Sequence, residues 1–450
     1  MQLWNKGKIT DTGILEFTAG MDRELDLQIA ASDVAGSMAH VEMLASVNLV
    51  SVSEKQGLLN ELIKVFDSIQ EGRFIIEAGV EDVHTQVEKI LTEQLGDAGK
   101  KVHTARSRND QVLTDLKLFY RKQLCLIAVE VEDLVRQLLK QSEETKDLMI
   151  PGYTHFQAAM PSSFGMWFGA YAEALTEDLL PLKGALDYVN LNPLGSAAGY
   201  GSSFPVDRDL TARLLGFDDL HVNSINAQMA RGKTEKIVLS ACGNIAGSLS
   251  KMAMDLVLFM SQNFGFVSLS EELTTGSSIM PHKKNPDVLE LIRARCNRIQ
   301  SKEQEVLSVI QNLPSGYHRD FQLLKEISFP ALAGLRECLA MMKFVSGQLH
   351  YNPEVMNNPI YAYLGSVDAI NERVKEGVPF REAYAQVAAE IDKGRFRPVK
   401  ASITTHTGSI GNLSNDRILQ KLERISGSIN PGKYTGFENR FVEHLKQLLK

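Results

Sequence analysis

Residues 274–287 read TTGSSIMPHKKNPD, and neither helical nor alternating apolar spacing runs through them. Ser277 and Ser278 stand a few residues ahead of Lys283 and Lys284, and the stretch ends in Asn285-Pro286-Asp287. That ending predicts a helix start, with Asn285 as N-cap, Pro286 at the first helical position and Asp287 in the first turn. The backbone N–H groups and dipole of a helix N-terminus favour anions, and two lysines add positive charge. A carboxylate ligand suits such a place. A serine held there would find its alkoxide stabilised, which a hydroxyl needs before it can abstract a proton. Spacing alone does not separate Ser277 from Ser278, and a solvated basic loop with an ordinary cap is the plainer alternative.

Two further irregular stretches abut long apolar-periodic segments. HTARSRNDQ (103–111) carries Arg106 and Arg108 with Ser107, Asn109 and Gln111 around them. Forked guanidiniums beside amide side chains suit bidentate carboxylate recognition, although a polar helix start explains the same residues. GYTHFQ (152–157) sets His155 between Thr154 and an aromatic, and EDVHT holds His84. A lone histidine is usually structural. Taken together, the stretches supply anion-binding groups, a serine beside lysines and a histidine that titrates near neutrality. That set suits proton abstraction next to a carboxylate, where the dianionic carbanion needs preorganised cations and donors. NPLGSAAGYGSSFPVDR (192–208) has no preceding strand and no phosphate-loop spacing, and reads as a connecting loop.

The elements that must position these groups are helical. No Gly or Pro interrupts 108–146, and Val112, Leu116, Phe119, Ile127, Val131, Leu134 and Leu138 mark one face. Such a helix is about 55 Å long at about 1.5 Å per residue. Similar segments follow at 162–190, 225–263, 286–312 and 320–350, with Pro181 and Pro330 expected to kink or interrupt two of them. Shorter helices are predicted at 31–52, 54–70 and 80–95. The expected fold is all-α, with a central bundle of about five long helices. Its divisions are an N-terminal helical domain (1–106), the long-helix bundle (107–355) and a small C-terminal helical domain (356–450).

Composition narrows the class. At 450 residues the chain exceeds one ordinary hydrophobic core. Its net charge of −7, with both signs interspersed, argues against nucleic acid as a partner. Cys125, Cys242, Cys296 and Cys338 show no metal-ligand spacing and read as reduced, buried thiols. No signal-peptide core opens the chain, and the most apolar region, 237–260, carries Lys251 and Asp255, which speaks against a membrane span. A cytoplasmic enzyme is expected.

GSSIMPHKKNP resembles the signature loop of the aspartase/fumarase superfamily, and HTARSRNDQVLTD and PGYTHFQ are similar to segments of the argininosuccinate lyase family within it. The resemblance runs from about Trp4 to Lys325. It implies a reversible β-elimination of argininosuccinate to arginine and fumarate, without metal or organic cofactor. Ser277 would be the base, with Lys283 and Asn285 stabilising the aci-carboxylate intermediate. His155, supported by Glu290, would be the acid. His84, Ser107, Arg108, Asn109, Thr154, Tyr317, Gln322 and Lys325 match substrate-binding positions. The resemblance also implies a homotetramer whose sites are shared between subunits. Helix length points the same way, because HTARSRNDQ and GYTHFQ flank opposite ends of the first long helix. Alternatives are a lyase acting on a modified argininosuccinate or another superfamily substrate, or a silent structural homologue. Three positions and the opening stretch depart from the family pattern. Gly20 stands where a substrate-binding serine is usual, His282 where glutamine is, and Leu323 in place of an acidic residue. Trp4-Asn5-Lys6-Gly7 replaces a Trp-Gly-Gly opening.

Overall fold

The structure, a computed structural model, describes residues 12–397 and 404–450, so the Trp4–Gly7 departure lies outside the described residues. The N-terminal part holds α1 (Thr12–Ala19), α2 (Ala30–Ser46), α3 (Val52–Gln70) and α4 (Val83–Leu95). The bundle follows with α5 (Arg108–Glu144), α6 (Phe164–Val189), α7 (Ser224–Met260), α8 (Asp287–Gln300), α9 (Lys302–Ile310) and α10 (Leu323–Ser346). The C-terminal part carries α11 (Ser366–Lys375), α12 (Phe380–Asp392), α13 (Asn415–Ile429) and α14 (Phe437–Leu448).

The expected apolar face of α5 is the core face. Leu116, Phe119, Ile127, Val131, Leu134 and Leu138 are buried, and Val112 packs against them. Each such side chain contributes about 1.5–3 kcal/mol on burial. Ser107 caps the helix in a box with Asp110: the Ser107 N–H donates to Asp110 Oδ1 at 2.9 Å, and Ser107 Oγ accepts from Asn109 N. The other Asp110 oxygen accepts from the Gly195 and Ala197 N–H groups at 2.9 Å each. Segment 192–208 is therefore a connecting loop fastened to the start of α5.

The bundle runs up and down between two ends. At the near end, where α5 starts, Lys117 Nζ donates to Tyr188 O at the end of α6, and Arg231 donates to Phe321 O just before α10. At the far end Gln141 Nε2 donates to Ser346 O, joining the last turns of α5 and α10. Ser250 Oγ donates to Asn297 Oδ1 at 2.7 Å, and Lys236 lies near Glu303, so α8 and α9 run antiparallel to α7. α7 is long and apolar enough by length and composition to cross a membrane, but it is a core helix with its apolar face inside the bundle. All four cysteines are buried and free.

Several local expectations are corrected. Pro181 and Pro330 do not interrupt their segments: both sit inside continuous helices whose neighbours (Leu179 and Leu182, Phe329 and Ala331) are buried in the core. The irregularity falls in α7 instead, at Arg231 (ψ 135°) and Gly232 (φ 80°). A Cβ on Gly232 would lie 2.6 Å from Ile310 Cγ2, so only glycine fits there. The 286–312 segment breaks at Ser301 into α8 and α9. GYTHFQ belongs to a β-hairpin, β1 (Met149–Thr154) with β2 (Gln157–Ser163), and His155 and Phe156 form its tip. Both have positive φ (54° and 57°), as a two-residue hairpin turn of the I′ kind requires.

Candidate active site

A cavity of about 510 Å³ opens at the near end, between the N-terminal helices, the start of α5 and the start of α10. Six predicted site residues line it: His84, Arg108, Asn109, Tyr317, Gln322 and Lys325. Ser107 stands beside them as the α5 cap. The Arg108 guanidinium is held by Asp82, with a second donation to Thr85 Oγ1 at 3.2 Å. Gln322 Nε2 donates to the carbonyls of Thr18 (2.6 Å) and Ala19 (2.8 Å), docking the end of α1 over the cavity. Lys325, 4% exposed, lies between two carboxylates, Asp22 Oδ1 at 2.5 Å and Asp26 Oδ1 at 2.6 Å.

His84 is held from behind by two buried acids. Its Nδ1 lies 2.9 Å from Asp33 Oδ1 and 3.5 Å from Asp115 Oδ2. Burial opposes its charge, but the charge and hydrogen bond of Asp33, with Asp115 behind, outweigh burial and raise its pKa above the ordinary 6.5. Burial likewise opposes the Asp33 carboxylate, and His84 outweighs it and depresses its pKa. Burial and then the neighbouring Asp33 charge push the Asp115 carboxyl well above the usual carboxylate range. The three groups offer ligand-type atoms within 4.8 Å of one another, and the imidazole Nδ1 hydrogen-bonds to Asp33.

The pair has a definite pH signature. His84, raised, stabilises the fold fully below its unfolded value and loses that contribution as pH rises through the raised one. Asp33, depressed, stabilises above the unfolded carboxylate value and loses that contribution as pH falls through the depressed one. His84→Gln removes the buried partner of the Asp33 carboxylate and is expected to cost about 3–5 kcal/mol. The orphaned carboxylate then keeps its proton in the fold above about 3.9, its unfolded value, so the variant recovers stability on acidification. Urea midpoints at pH 8 and pH 5 measure this. A variant whose midpoint moves in parallel with the wild type's would contradict the pairing.

The remaining predicted residues lie elsewhere. Thr154 and His155 are exposed on the hairpin, and His155 lines a separate apolar cavity with Met254, Leu258 and Phe259 of α7. Arg231, near the start of the same helix, lines the first cavity. From Arg231 to Met254 the helix rises about 35 Å, so the two cavities stand at opposite ends of the bundle. The 274–287 loop is at the far end too, leading into α8. It is pinched shut by reciprocal backbone bonds between Thr275 and Asn285 (3.2 and 2.8 Å). Asn285 is therefore not the N-cap. Its amide pairs with Thr275, and α8 begins at Asp287 after Pro286 with no side-chain cap bond. Ser277 is half-buried, and its Oγ accepts from Met280 N (3.2 Å) and Ile279 N (3.4 Å); Ser278 and Lys283 are exposed. Lys284 pairs with Glu271 at 2.9 Å, while Lys283 has no acidic partner among the described residues. Glu290 is exposed in the first turn of α8.

Sequence reasoning missed Asp22, Asp26, Asp33 and Asp115. Charged residues on otherwise apolar helical faces were the available signal, most clearly Asp115 just before Leu116. Gly20 ends the α1 turn with φ +52° and donates its N–H to Glu16 O at 3.0 Å. The side chain that reaches the cavity from this segment is Asp22.

Residues 10–301 match a family model described as lyase. The chain is 52% identical over 429 residues to the argininosuccinate lyase of Phocaeicola vulgatus, covering 95% of this chain and 96% of that protein. It is 50% identical over 441 residues to the argininosuccinate lyase of Parabacteroides distasonis, covering 98% and 99%. In fold it is similar to an EDDS lyase variant with bound fumarate (TM-score 0.76, 22% identity, 98% and 95% covered). It is also similar to the class II fumarase of Schistosoma mansoni (TM-score 0.70, 16% identity, 91% and 94% covered). On this identity and coverage, the chain belongs to the argininosuccinate lyase family.

Proposed function

We infer that this chain is a carbon–nitrogen lyase that cleaves argininosuccinate reversibly to arginine and fumarate, a step of arginine biosynthesis. The observation that carries the reading is half-identity to argininosuccinate lyases over nearly the whole length, in a chain whose departures from the family pattern remove none of the proposed catalytic residues. Ser277 takes the Cβ proton of the succinyl group. The electron pair is held as an aci-carboxylate by Lys283 and Asn285, then expels the guanidinium nitrogen as the C–N bond breaks. His155, supported by Glu290, protonates that nitrogen. Ser107, Arg108, Asn109, Thr154, His84, Tyr317, Gln322 and Lys325 hold the substrate.

A single chain separates these groups by about 35 Å of helix, so the working site is shared between subunits of a cytoplasmic homotetramer. Exposed apolar side chains on the far-end loops and on α8 and α10 (Phe156, Ile279, Leu291, Met341 and Phe344) support a covering partner of this kind. The proposed division is 1–106, 107–355 and 356–450; within the last segment Ala369, Ile370, Ala383 and Val387 form a separate small core, while Ile418, Leu422, Phe441 and Val442 join the main one. Fumarate release, followed by ultraviolet absorbance with argininosuccinate, adenylosuccinate, aspartate and malate in separate reactions, tests the reading. Fumarate from argininosuccinate alone is expected. Silence on argininosuccinate from a folded oligomer would overturn it.

A further inference from the structure

The turn that leads into α5 is held in a form its sequence resists. Thr104 has φ −56° and ψ 134°, Ala105 has φ 60°, and the Arg106 N–H donates to His103 O at 3.2 Å. These are the features of a type II turn over 103–106, whose third position takes a positive φ and ordinarily calls for glycine or asparagine. Alanine there meets the left-handed penalty of any residue with a Cβ. The same four residues suit a type I turn better, and the two forms differ chiefly in the central peptide, whose carbonyl points to opposite sides. That carbonyl is Thr104 O, and it has a partner. His40 Nε2 lies 2.8 Å from it, on a fully buried side chain of α2. Burial, with the Arg106 charge behind it, pushes the His40 pKa down to about 3, so the ring is neutral and the nitrogen facing the carbonyl donates. His40 Nδ1 is buried with no partner among the described residues, which leaves Thr104 O as the ring's one hydrogen bond there. Three residues earlier on α2, Ser37 Oγ accepts from Arg106 Nη1 at 3.0 Å. Helix α2 thus grips the turn at its central peptide and at its last residue.

Resting on the function proposed above, we propose that His40 is a positioning residue: its ring holds the 103–106 turn in the type II form and so sets Ser107, Arg108 and Asn109 for the substrate. His40 itself does not line the cavity. It stands behind the turn, with His103 lining the cavity on one side of that turn and Arg108 and Asn109 on the other. Thr104 is three positions from the Ser107 cap, so a flipped central peptide is passed on to the cap and the first turn of α5. A displacement of about 1 Å in groups that orient a substrate can cost about 100-fold in rate.

The test uses the assembled enzyme, with thermal midpoints to verify folding. His40→Leu removes the donor, and kcat/KM for argininosuccinate is expected to fall about 10- to 100-fold. His40→Gln, whose amide nitrogen reaches the place of Nε2, keeps most of the activity. Ala105→Gly alone stays near wild type, since glycine takes the positive φ without penalty. Added to His40→Leu, it should raise the rate again by about 10-fold, a rescue that lost core packing at residue 40 would not show. Hydrogen exchange in peptides spanning 103–111 reads the turn without activity: faster in His40→Leu than in wild type, and slowed again by Ala105→Gly. A folded His40→Leu enzyme with wild-type kinetics or wild-type exchange, or one whose rate Ala105→Gly does not raise, would overturn the proposal. Should His40→Leu not fold, Ala105→Val loads the same turn without touching the ring, and a folded Ala105→Val enzyme with wild-type kinetics and exchange would overturn it equally. Failure of the activity reading is a different result: no fumarate from argininosuccinate with wild type, and the exchange pattern intact.

Discussion

Ser277→Ala is expected to lower kcat for argininosuccinate by about 10³–10⁴-fold, near the upper range for a positioned acid or base. Fold and oligomer should be unchanged, because Ser277 stands on a loop outside the buried core. Two serines are adjacent, and the local structure distinguishes them. Ser277 Oγ accepts backbone N–H groups from Ile279 and Met280, whereas Ser278 is exposed. Donors aimed at an oxygen lower the cost of its anion, so Ser277 is the one whose alkoxide the loop stabilises. The lysines differ too: Lys284 pairs with Glu271, whereas Lys283, the one proposed to meet the substrate, has no acidic partner among the described residues. Ser278→Ala should turn over near the wild-type rate. Measuring kcat and melting temperature for both variants checks the assignment. Full activity in Ser277→Ala would move the base to Ser278 or His155.

The second large effect is on stability and binding together. Lys325→Met removes the cation between Asp22 and Asp26 and leaves Asp26 buried with its charge uncompensated. Breaking a buried pair in this way costs about 3–5 kcal/mol. The variant should therefore melt earlier, and kcat/KM for argininosuccinate should fall because Lys325 lines the cavity proposed to hold the substrate. Adding Asp22→Asn to Lys325→Met removes half of the stranded charge. The double variant should regain part of the lost stability and none of the activity, a non-additivity expected for residues in contact. Denaturant midpoints and initial rates on the two single variants and the double variant measure both. A Lys325→Met enzyme as stable as wild type would show that Asp26 finds its compensation elsewhere.

The long helices were legible because burial imposes its period on the sequence: the α5 face from Leu116 to Leu138 is apolar where it meets the core. Local signals failed where tertiary contacts overrode them. Pro181 and Pro330 remain in continuous helices with buried neighbours, while non-helical backbone falls at Arg231-Gly232, where Ile310 leaves no room for a side chain on residue 232. The hairpin at His155-Phe156 was hidden because neither residue is the Gly or Asn that usually marks a left-handed turn. Asn285 looked like a cap, and the structure commits its backbone to Thr275 instead. Motif resemblance named the chemistry-bearing residues but not the acids behind them. Asp33 and Asp115 matter through what they do to His84, and Asp22 through Lys325, and those are contacts across 51, 31 and 303 positions of chain respectively.

The central claim is that near-end and far-end groups from different chains complete one site. Co-assembly tests it most directly. Chains carrying Ser277→Ala, with an intact near-end cavity, are mixed with chains carrying Asn109→Leu, with an intact far-end loop. Subunit exchange is verified by native mass spectrometry, and fumarate release is then measured. Each variant alone should be nearly inactive. The mixture should regain about a quarter of wild-type activity, because each shared site draws its two halves from two equal pools. A fully exchanged mixture as inactive as its components would place the whole site within one chain and contradict the claim.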